Sequence, residues 1–215
     1  MKVFSSWSGG KDCMLALHRA LKDDGHELLA LLNMCEQDTG YSRSHGLKQE
    51  LLQRQAQAMQ VRLIQQGTGR HDFEKKFKEA VLQLKEEGVE AGIFGDIYLE
   101  EHRVWIARVC ADLHIKALFP LWGCNTQELA FELVDKGFKP ILVSVREEFL
   151  GKEFLGRVYD RQLIEELRQM GDIDICAENG EFHSFVVDGP LFKQPVAYKT
   201  GEIYLKDKHW FLEVN

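Results

Sequence analysis

Short apolar runs alternate with amphipathic segments through the first two-thirds of the chain, and this alternation constrains the fold more than any other feature. Strands that alternate with helices at this spacing predict a parallel sheet with helices on both faces. The predicted strands are Lys2–Trp7, Glu27–Cys35, Val61–Ile64, Ala91–Phe94, Lys116–Pro120 and Pro140–Val145. The predicted helices are Cys13–Leu21, Leu47–Met59, Phe73–Lys85, Val104–Leu113 and Glu128–Val134.

The pattern changes after about residue 148. One more helix carries apolar residues at helical spacing, Leu163 to Met170. Short strand-like runs follow at Phe185–Val187 and Val196–Tyr198, and a hairpin is predicted across Gly201, running from Ile203–Leu205 to Trp210–Leu212. We therefore predict two domains, an α/β domain over residues 1–148 and a smaller, strand-rich antiparallel part over residues 149–215.

Composition excludes several classes of protein. The 215 residues are 45% hydrophobic, which is enough for a sizeable core, and the net charge of −7 argues against a nonspecific grip on nucleic acid. The sequence shows neither an apolar secretory stretch at its start nor a run as long as a membrane span, so we expect a cytoplasmic protein with no membrane partner. Five cysteines without a Cys-x-x-Cys pair argue against a disulfide scaffold and a thiolate zinc site: Cys13, Cys35, Cys110, Cys124 and Cys176.

The segment Ser8-Gly9-Gly10-Lys11-Asp12 joins the first predicted strand to the first helix. Ligands of open parallel sheets bind at the carboxyl ends of strands, and two glycines let the backbone close on a phosphate. The N–H groups of the helix start then point at the anion, and Lys11 adds a positive charge. Asp12 is unfavourable beside bare phosphates, so its presence indicates Mg²⁺ between them. The alternative is an ordinary glycine turn at a helix start.

The same pentad resembles the signature of the PP-loop ATP pyrophosphatases, Ser-Gly-Gly-x-Asp-Ser. Cys13 stands where that signature ends in serine, which puts one hydroxyl contact in doubt but not the loop. The resemblance implies an adenine-nucleotide alpha-hydrolase-like sheet and binding of ATP by Ser8 to Cys13. Neither the P-loop pattern nor Gly-x-Gly-x-x-Gly is present.

Polar segments follow other predicted strands on the same edge of the sheet. Gly95-Asp96 and Arg103 come after the fourth strand and are the best candidates to line the site. His45, after the second strand, could equally be a helix-start residue. His102, Cys110 and His114 are possible metal ligands, and Cys110 and His114 are predicted to share a helix face. The sequence offers no third and fourth ligand at sensible spacing to join that pair, so a structural role is the favoured interpretation.

In the tail, Gly180-Glu181-Phe182-His183 precedes Asp188-Gly189-Pro190. Glu181 and His183 are predicted to share one strand face, where they could meet a substrate or water. Together with Gly95-Asp96-Ile97, Glu101-x-Arg103 and Phe119-Pro120-Leu121-Trp122, these motifs resemble the diphthamide synthetase (diphthine–ammonia ligase) family over residues 1 to about 192. Ala177-Glu178 and Ser184 are mild departures from the family's pattern.

This second resemblance implies that ATP adenylates a substrate carboxylate, that pyrophosphate leaves, and that ammonia converts the acyl-adenylate to an amide. It implies Lys11, Asp12, Arg103, Glu181 and His183 as catalytic residues, Asp12 as the Mg²⁺ ligand, and diphthine on a translation elongation factor as the acceptor. The sequence leaves open whether the protein forms a homo-oligomer. The alternatives are a PP-loop amidoligase for a small-metabolite carboxylate, a PP-loop tRNA sulfur transferase that uses Cys13, and a non-enzymatic nucleotide sensor.

Overall fold

A five-stranded parallel sheet forms the first part of the fold, as the alternation predicted. The computed structural model describes residues 1–22, 24–38, 40–42, 45–69 and 71–215. The strands of this sheet are β1 (Lys2–Ser6), β2 (Glu27–Glu36), β3 (Leu63–Thr68), β4 (Ala91–Ile93) and β5 (Lys116–Leu118). The helices that alternate with them are α1 (Lys11–Lys22), α2 (Gln49–Met59), α3 (Phe73–Glu86) and α4 (Glu100–Asp112).

The core beside this sheet is built from the apolar faces of α3 and α4 packed on the strands. Phe4 of β1 lies at its centre, in edge-to-face contact with Phe77 and Phe94 at centroid separations of 6.1 and 6.0 Å. Val81 of α3 and Val109 of α4 are fully buried in the same cluster. The residues that had the right helical spacing in the sequence are therefore those that cover the sheet.

The order of strands in the sheet is β3-β2-β1-β4-β5. The chain moves from β1 to one side through β2 and β3 and then returns to the other side of β1 as β4. The order thus reverses between β1 and β4, and the loops that leave these two strands share the place where open α/β sheets bind ligands.

A four-stranded antiparallel sheet forms the second part of the fold, with strand order β7-β6-β9-β8. Its strands are β6 (Pro140–Arg146), β7 (Phe182–Val186), β8 (Thr200–Lys206) and β9 (His209–Val214). Two helices accompany it, α5 (Thr126–Asp135) and α6 (Arg161–Met170). Asn125 and Asp160 cap these helices by accepting hydrogen bonds from backbone N–H groups of the first turn.

By contacts, the chain divides into two compact units. The first contains Met1–Ser8, Asp12–Arg43 and Val61–Gly123, and the second contains Gly9–Lys11, Ser44–Gln60 and Cys124–Asn215. The first unit holds the parallel sheet, and the second holds the antiparallel sheet together with α2. The domain boundary expected after residue 148 stays a prediction.

Three details differ from the sequence-based expectation. The strand at Pro140–Arg146 pairs antiparallel with β7 and β9, although the alternation before it suggested a further parallel strand. Val196–Tyr198 is not a strand. The hairpin turns at Asp207-Lys208, which both have positive φ angles of 49° and 64°, and Gly201 lies within β8 instead. This turn geometry suits the right-handed twist of a hairpin, and the prediction from Gly201 put the turn in the wrong place.

Among the helices of the described ranges, none combines the length and the apolar character needed to cross a membrane.

Candidate functional site

The predicted phosphate loop joins β1 to α1, as expected. Ser8 and Asp12 belong by contacts to the first unit, whereas Gly9, Gly10 and Lys11 belong to the second. The loop is thus a short stretch of chain that passes from one unit to the other and back.

Gly9 is fixed against α2 and β7 of the second unit. Its carbonyl oxygen accepts hydrogen bonds from the Val186 amide at 3.0 Å and from Gln55 Nε2 at 3.0 Å. Its φ angle is +81°, and a Cβ atom at this position would lie 2.5 Å from Leu52 Cδ2. Both the left-handed conformation and the close approach therefore require glycine here.

Lys11 is attached to the tail of the chain at both ends. Its backbone amide donates to Ser184 Oγ at 3.2 Å, and its ammonium group donates to the carbonyl oxygen of Cys176. The ammonium also lies 5.4 Å from the centroid of the Phe182 ring, and the residue is only 4% exposed. A buried cation is stabilised by such a carbonyl and ring face, so Lys11 puts a positive charge within the predicted acceptor segment.

The other half of the loop packs within the first unit against the segment that follows β4. A Cβ atom on Gly95 would lie 2.8 Å from the Cys13 amide nitrogen and 2.9 Å from the Asp12 carbonyl carbon. Gly95, at the end of a strand that borders the reversal of strand order, is therefore in close contact with the first turn of α1. Ser8 Oγ lies 3.5 Å from Cys13 Sγ, and Cys13 is buried at 6% exposure.

Asp96 lies in the loop after β4, and Arg103 lies in α4. Each of them contacts a neighbouring side chain of the first unit. Burial raises the pKa of Asp96 above its ordinary value, and His102, with Nδ1 3.1 Å from Asp96 Oδ1, acts in the opposite direction. Arg103 lies in the first turn of α4, and its guanidinium is 4.7 Å from the centroid of the Trp122 ring. Arg103 is about half exposed and keeps its charge near the surface.

Glu181 holds a turn of the tail together. Its Oε1 accepts from the Asp174 amide at 3.2 Å and from Asn179 Nδ2 at 3.3 Å. Glu181 is 3% exposed, and its Oε2 is buried without a hydrogen-bond partner among the described residues. A buried carboxylate oxygen with no partner is costly, which makes Oε2 a natural acceptor for a polar group that arrives with a substrate.

His183 lies beside His45, which the sequence left ambiguous. Their ring centroids are 4.6 Å apart. Burial, and secondarily the charge of Lys11, lowers the pKa of His45 to about 4. Burial, with contributions from His45, Lys11 and His209, also lowers the pKa of His183 well below its ordinary value. Both imidazoles are therefore neutral at physiological pH and able to accept a proton or a hydrogen bond.

Gln55 was missed by sequence reasoning. It is fully buried, and its Nε2 donates to Gly9 O at 3.0 Å and to Val186 O at 2.7 Å. One amide group thus links α2, the phosphate loop and β7. The signal was a polar residue on the apolar face of a predicted helix, four positions after Leu51 and three after Leu52.

No group of three or more His, Cys, Asp or Glu side chains suited to a metal occurs in the described part of the chain. Mg²⁺ is commonly held by one or two carboxylates together with substrate phosphates, and Asp12 in the first turn of α1 fits that arrangement. The site residues predicted from sequence thus fall into two sets. Those of the first unit are Ser8, Asp12, Cys13, Gly95, Asp96 and Arg103, and those of the second are Gly9, Gly10, Lys11, Glu181 and His183.

Comparison with known proteins agrees with these motifs. Two diphthine–ammonia ligases are similar along the whole chain: that of Rattus norvegicus is 27% identical over 100% of this chain and 89% of its own length, and that of Homo sapiens is 23% identical over the same shares. A solved structure titled as a predicted subunit of tRNA methyltransferase from Methanocaldococcus jannaschii is 17% identical, covers 88% of this chain and 98% of its own, and has a TM-score of 0.46.

Two family profiles cover nearly the whole sequence. The profile described as the diphthamide synthase N-terminal domain matches residues 1–117, and the one described as the diphthamide synthase C-terminal domain matches residues 125–215. The matched ranges include the phosphate loop in the first case and the Glu181–His183 segment in the second. The chain belongs to the diphthamide synthase family.

Proposed function

We propose that the protein is an ATP-dependent carboxylate–ammonia ligase that releases AMP and pyrophosphate, and that its acceptor is diphthine on a translation elongation factor. The family and the relatives named diphthine–ammonia ligase support this proposal. The structural observation that carries it is the double attachment of Lys11 to the tail, through Ser184 Oγ and the Cys176 carbonyl. The residue that would neutralise pyrophosphate thus contacts the segment that we assign to the acceptor.

In the first step, a carboxylate oxygen of the acceptor attacks the α-phosphorus of ATP, and the bond to the β-phosphate breaks. The loop from Ser8 to Asp12 accommodates the leaving pyrophosphate with backbone N–H groups and the start of α1. Lys11 offsets the negative charge that develops as pyrophosphate departs. Asp12 is the residue that would hold Mg²⁺, which would supply further charge neutralisation for the phosphates.

In the second step, the nitrogen of ammonia attacks the acyl carbon, and the bond from that carbon to AMP breaks. The nitrogen must lose one proton to become an amide. A neutral imidazole of the pair His45 and His183 is suited to take that proton, because both rings are held uncharged. Glu181 Oε2 is suited to hold the incoming ammonia, because it is a buried acceptor without a partner among the described residues.

Sulfur transfer through a persulfide fits the burial of the cysteines less well than amide formation does. A persulfide carrier needs an accessible thiolate, yet Cys13 beside the loop is buried at 6% exposure. Cys35, Cys110 and Cys176 are buried as well, and Cys124, which is partly exposed, is not part of the loop. We also propose that residues 149–215 recognise the acceptor, since they contain Glu181 and His183.

The direct test is product analysis with ATP labelled at the α-phosphate, ammonium, and an elongation factor that carries diphthine. We expect labelled AMP, pyrophosphate and amidated factor in equal amounts. The control is the same factor with the unmodified histidine, which has no carboxylate to adenylate and should leave ATP intact. Formation of ADP as the sole nucleotide product, or AMP formation that does not depend on diphthine, would refute the proposal.

A further inference from the structure

Strand β8 forms an exposed edge of the antiparallel sheet. It is the last strand in the order β7-β6-β9-β8, and within the described residues only β9 pairs with it. Every residue of β8 is exposed, including Ile203 at 43% and Leu205 at 48%. The strand at the opposite edge, β7, is largely buried instead. An exposed edge strand with apolar side chains is a template for pairing with another strand.

The sequence of β8 is complementary to itself about Tyr204. An antiparallel copy related by a two-fold axis through Tyr204, normal to the sheet, would place Ile203 opposite Leu205 and Glu202 opposite Lys206. Each opposed pair then has its side chains on the same face, and each pair occurs twice by symmetry. Moving the axis by one residue to Ile203 would place Glu202 opposite Tyr204 and lose both matches. Only the register about Tyr204 combines the apolar pairs with the charge pairs.

A groove beside β8 could accommodate the Leu205 side chain of a second copy. It has a volume of about 460 Å³, and it is lined by Leu155, Gly156, Arg157, Thr200, Gly201, Ile203 and Leu212. Leu205 of a second copy would stand opposite Ile203 on the same face, and so next to the apolar side of this groove. Docking of that leucine would remove apolar surface from water on both copies.

We propose that two copies of the chain associate through β8, in antiparallel register about Tyr204, to form a continuous eight-stranded sheet of two four-stranded halves. This association would use the exposed edge, the charge and apolar complementarity of β8 with itself, and the adjacent groove. It is independent of the reaction that the protein catalyses. The association is isologous, because the same strand is used by both copies.

The test is sedimentation equilibrium of the full chain over a wide concentration range. The wild-type protein should approach twice the chain mass of 24.8 kDa. Glu202→Lys should weaken dimerisation about tenfold, because two like-charge pairs replace two attractive pairs, and Lys206→Glu should do the same. The double variant Glu202→Lys/Lys206→Glu restores opposite charges and should recover the wild-type dissociation constant. Glu86→Lys, an exposed residue near the end of α3, is the control for the same charge change away from β8.

Hydrogen exchange gives a second measurement that does not depend on substitutions. Amides of β8 should exchange more slowly at high than at low protein concentration, while amides of β1 should not change. A wild-type protein that stays monomeric at all concentrations would overturn the proposal, even if β8 pairs with another protein. The proposal would also be overturned by a dimer whose dissociation constant is unchanged by Glu202→Lys and by Lys206→Glu, and whose β8 amides exchange at the same rate at all protein concentrations.

Discussion

The backbone amide of Lys11 donates a hydrogen bond to Ser184 Oγ at 3.2 Å, across 173 positions of the sequence. This bond fixes the start of α1 to the middle of β7. Gly9, Gly10 and Lys11 of the loop near the start of the chain therefore lie in the same unit as the Glu181–His183 segment near its end.

Replacing Lys11 by methionine should lower turnover by about 10²-fold, on the scale of one lost electrostatic donor. Methionine keeps most of the buried chain that packs over Phe182 and removes only the charge. Turnover is measured as AMP formation at saturating ATP and acceptor. The control is Lys22→Met at the far end of α1, which should match the wild type. Equal turnover in the two variants would remove Lys11 from the mechanism.

Gln55→Leu should release Gly9 from α2. The substitution leaves the carbonyl oxygens of Gly9 and Val186 without the donor that each accepts from now, and should lower the free energy of unfolding by about 1–3 kcal/mol. It should also raise KM for ATP, because the loop loses a restraint. Gln53→Leu, an exposed position of the same helix, is the matched control. Urea unfolding measures the free energy of unfolding of both variants, and steady-state kinetics measure their KM for ATP. The prediction fails if both values for Gln55→Leu equal those of the control.

Gly95→Ala should weaken nucleotide binding. The added Cβ would meet backbone atoms of Asp12 and Cys13 at under 3 Å, so the first turn of α1 must move. The control is Gly69→Ala, where the nearest atom to a new Cβ is Asp72 Oδ1 at 3.5 Å, an ordinary contact. ATP affinity is measured by calorimetry, and a rise in Kd for Gly95→Ala alone is expected. Unchanged affinity would show that Gly95 packs beside the loop without shaping it.

Glu181→Gln should raise KM for ammonia far more than KM for ATP. The amide can still accept at one oxygen, but it replaces one acceptor oxygen of the carboxylate with an NH₂ group. Because Oε1 also holds the turn at Asp174 and Asn179, the thermal midpoint is recorded alongside. The control is Glu178→Gln in the same turn. A loss of stability with both KM values unchanged would assign Glu181 to structure alone.

The stability of the protein should fall as pH decreases from about 6.5 towards 4. His45 and His183 have depressed pKa values in the folded protein, so the unfolded chain binds more protons in this window. Stability therefore rises with pH there and levels off above about 6.5. Urea unfolding at several pH values measures the slope. His45→Asn should flatten it, and the exposed His71→Asn should not; equal slopes in all three proteins would contradict the assignment.

The amino-acid sequence by itself determined the α/β class, the family and the position of the Ser8–Asp12 loop between the first strand and the first helix. These features depend on local patterns: helical and strand periodicity, two glycines between a strand and a helix, and short motifs in order along the chain. Gly95 was predicted to line the site from its place after a strand, and the structure adds that this strand, β4, pairs with β1. The boundaries of most helices and strands followed from the same periodicity.

Only the tertiary structure decided which sheet Pro140–Arg146 joins, that Val196–Tyr198 is not a strand, and that Gln55 and Ser184 hold the phosphate loop. Local periodicity records which face of a segment avoids water, but it does not record the partner that covers that face. Strand pairing and buried hydrogen bonds depend on residues that are distant in the sequence, 46 positions for Gly9 and Gln55 and 173 for Lys11 and Ser184, and the packing of the whole unit brings them together. The neutral state of His45 and His183 has the same origin, because only folding buries the two rings and brings the charge of Lys11 close to them.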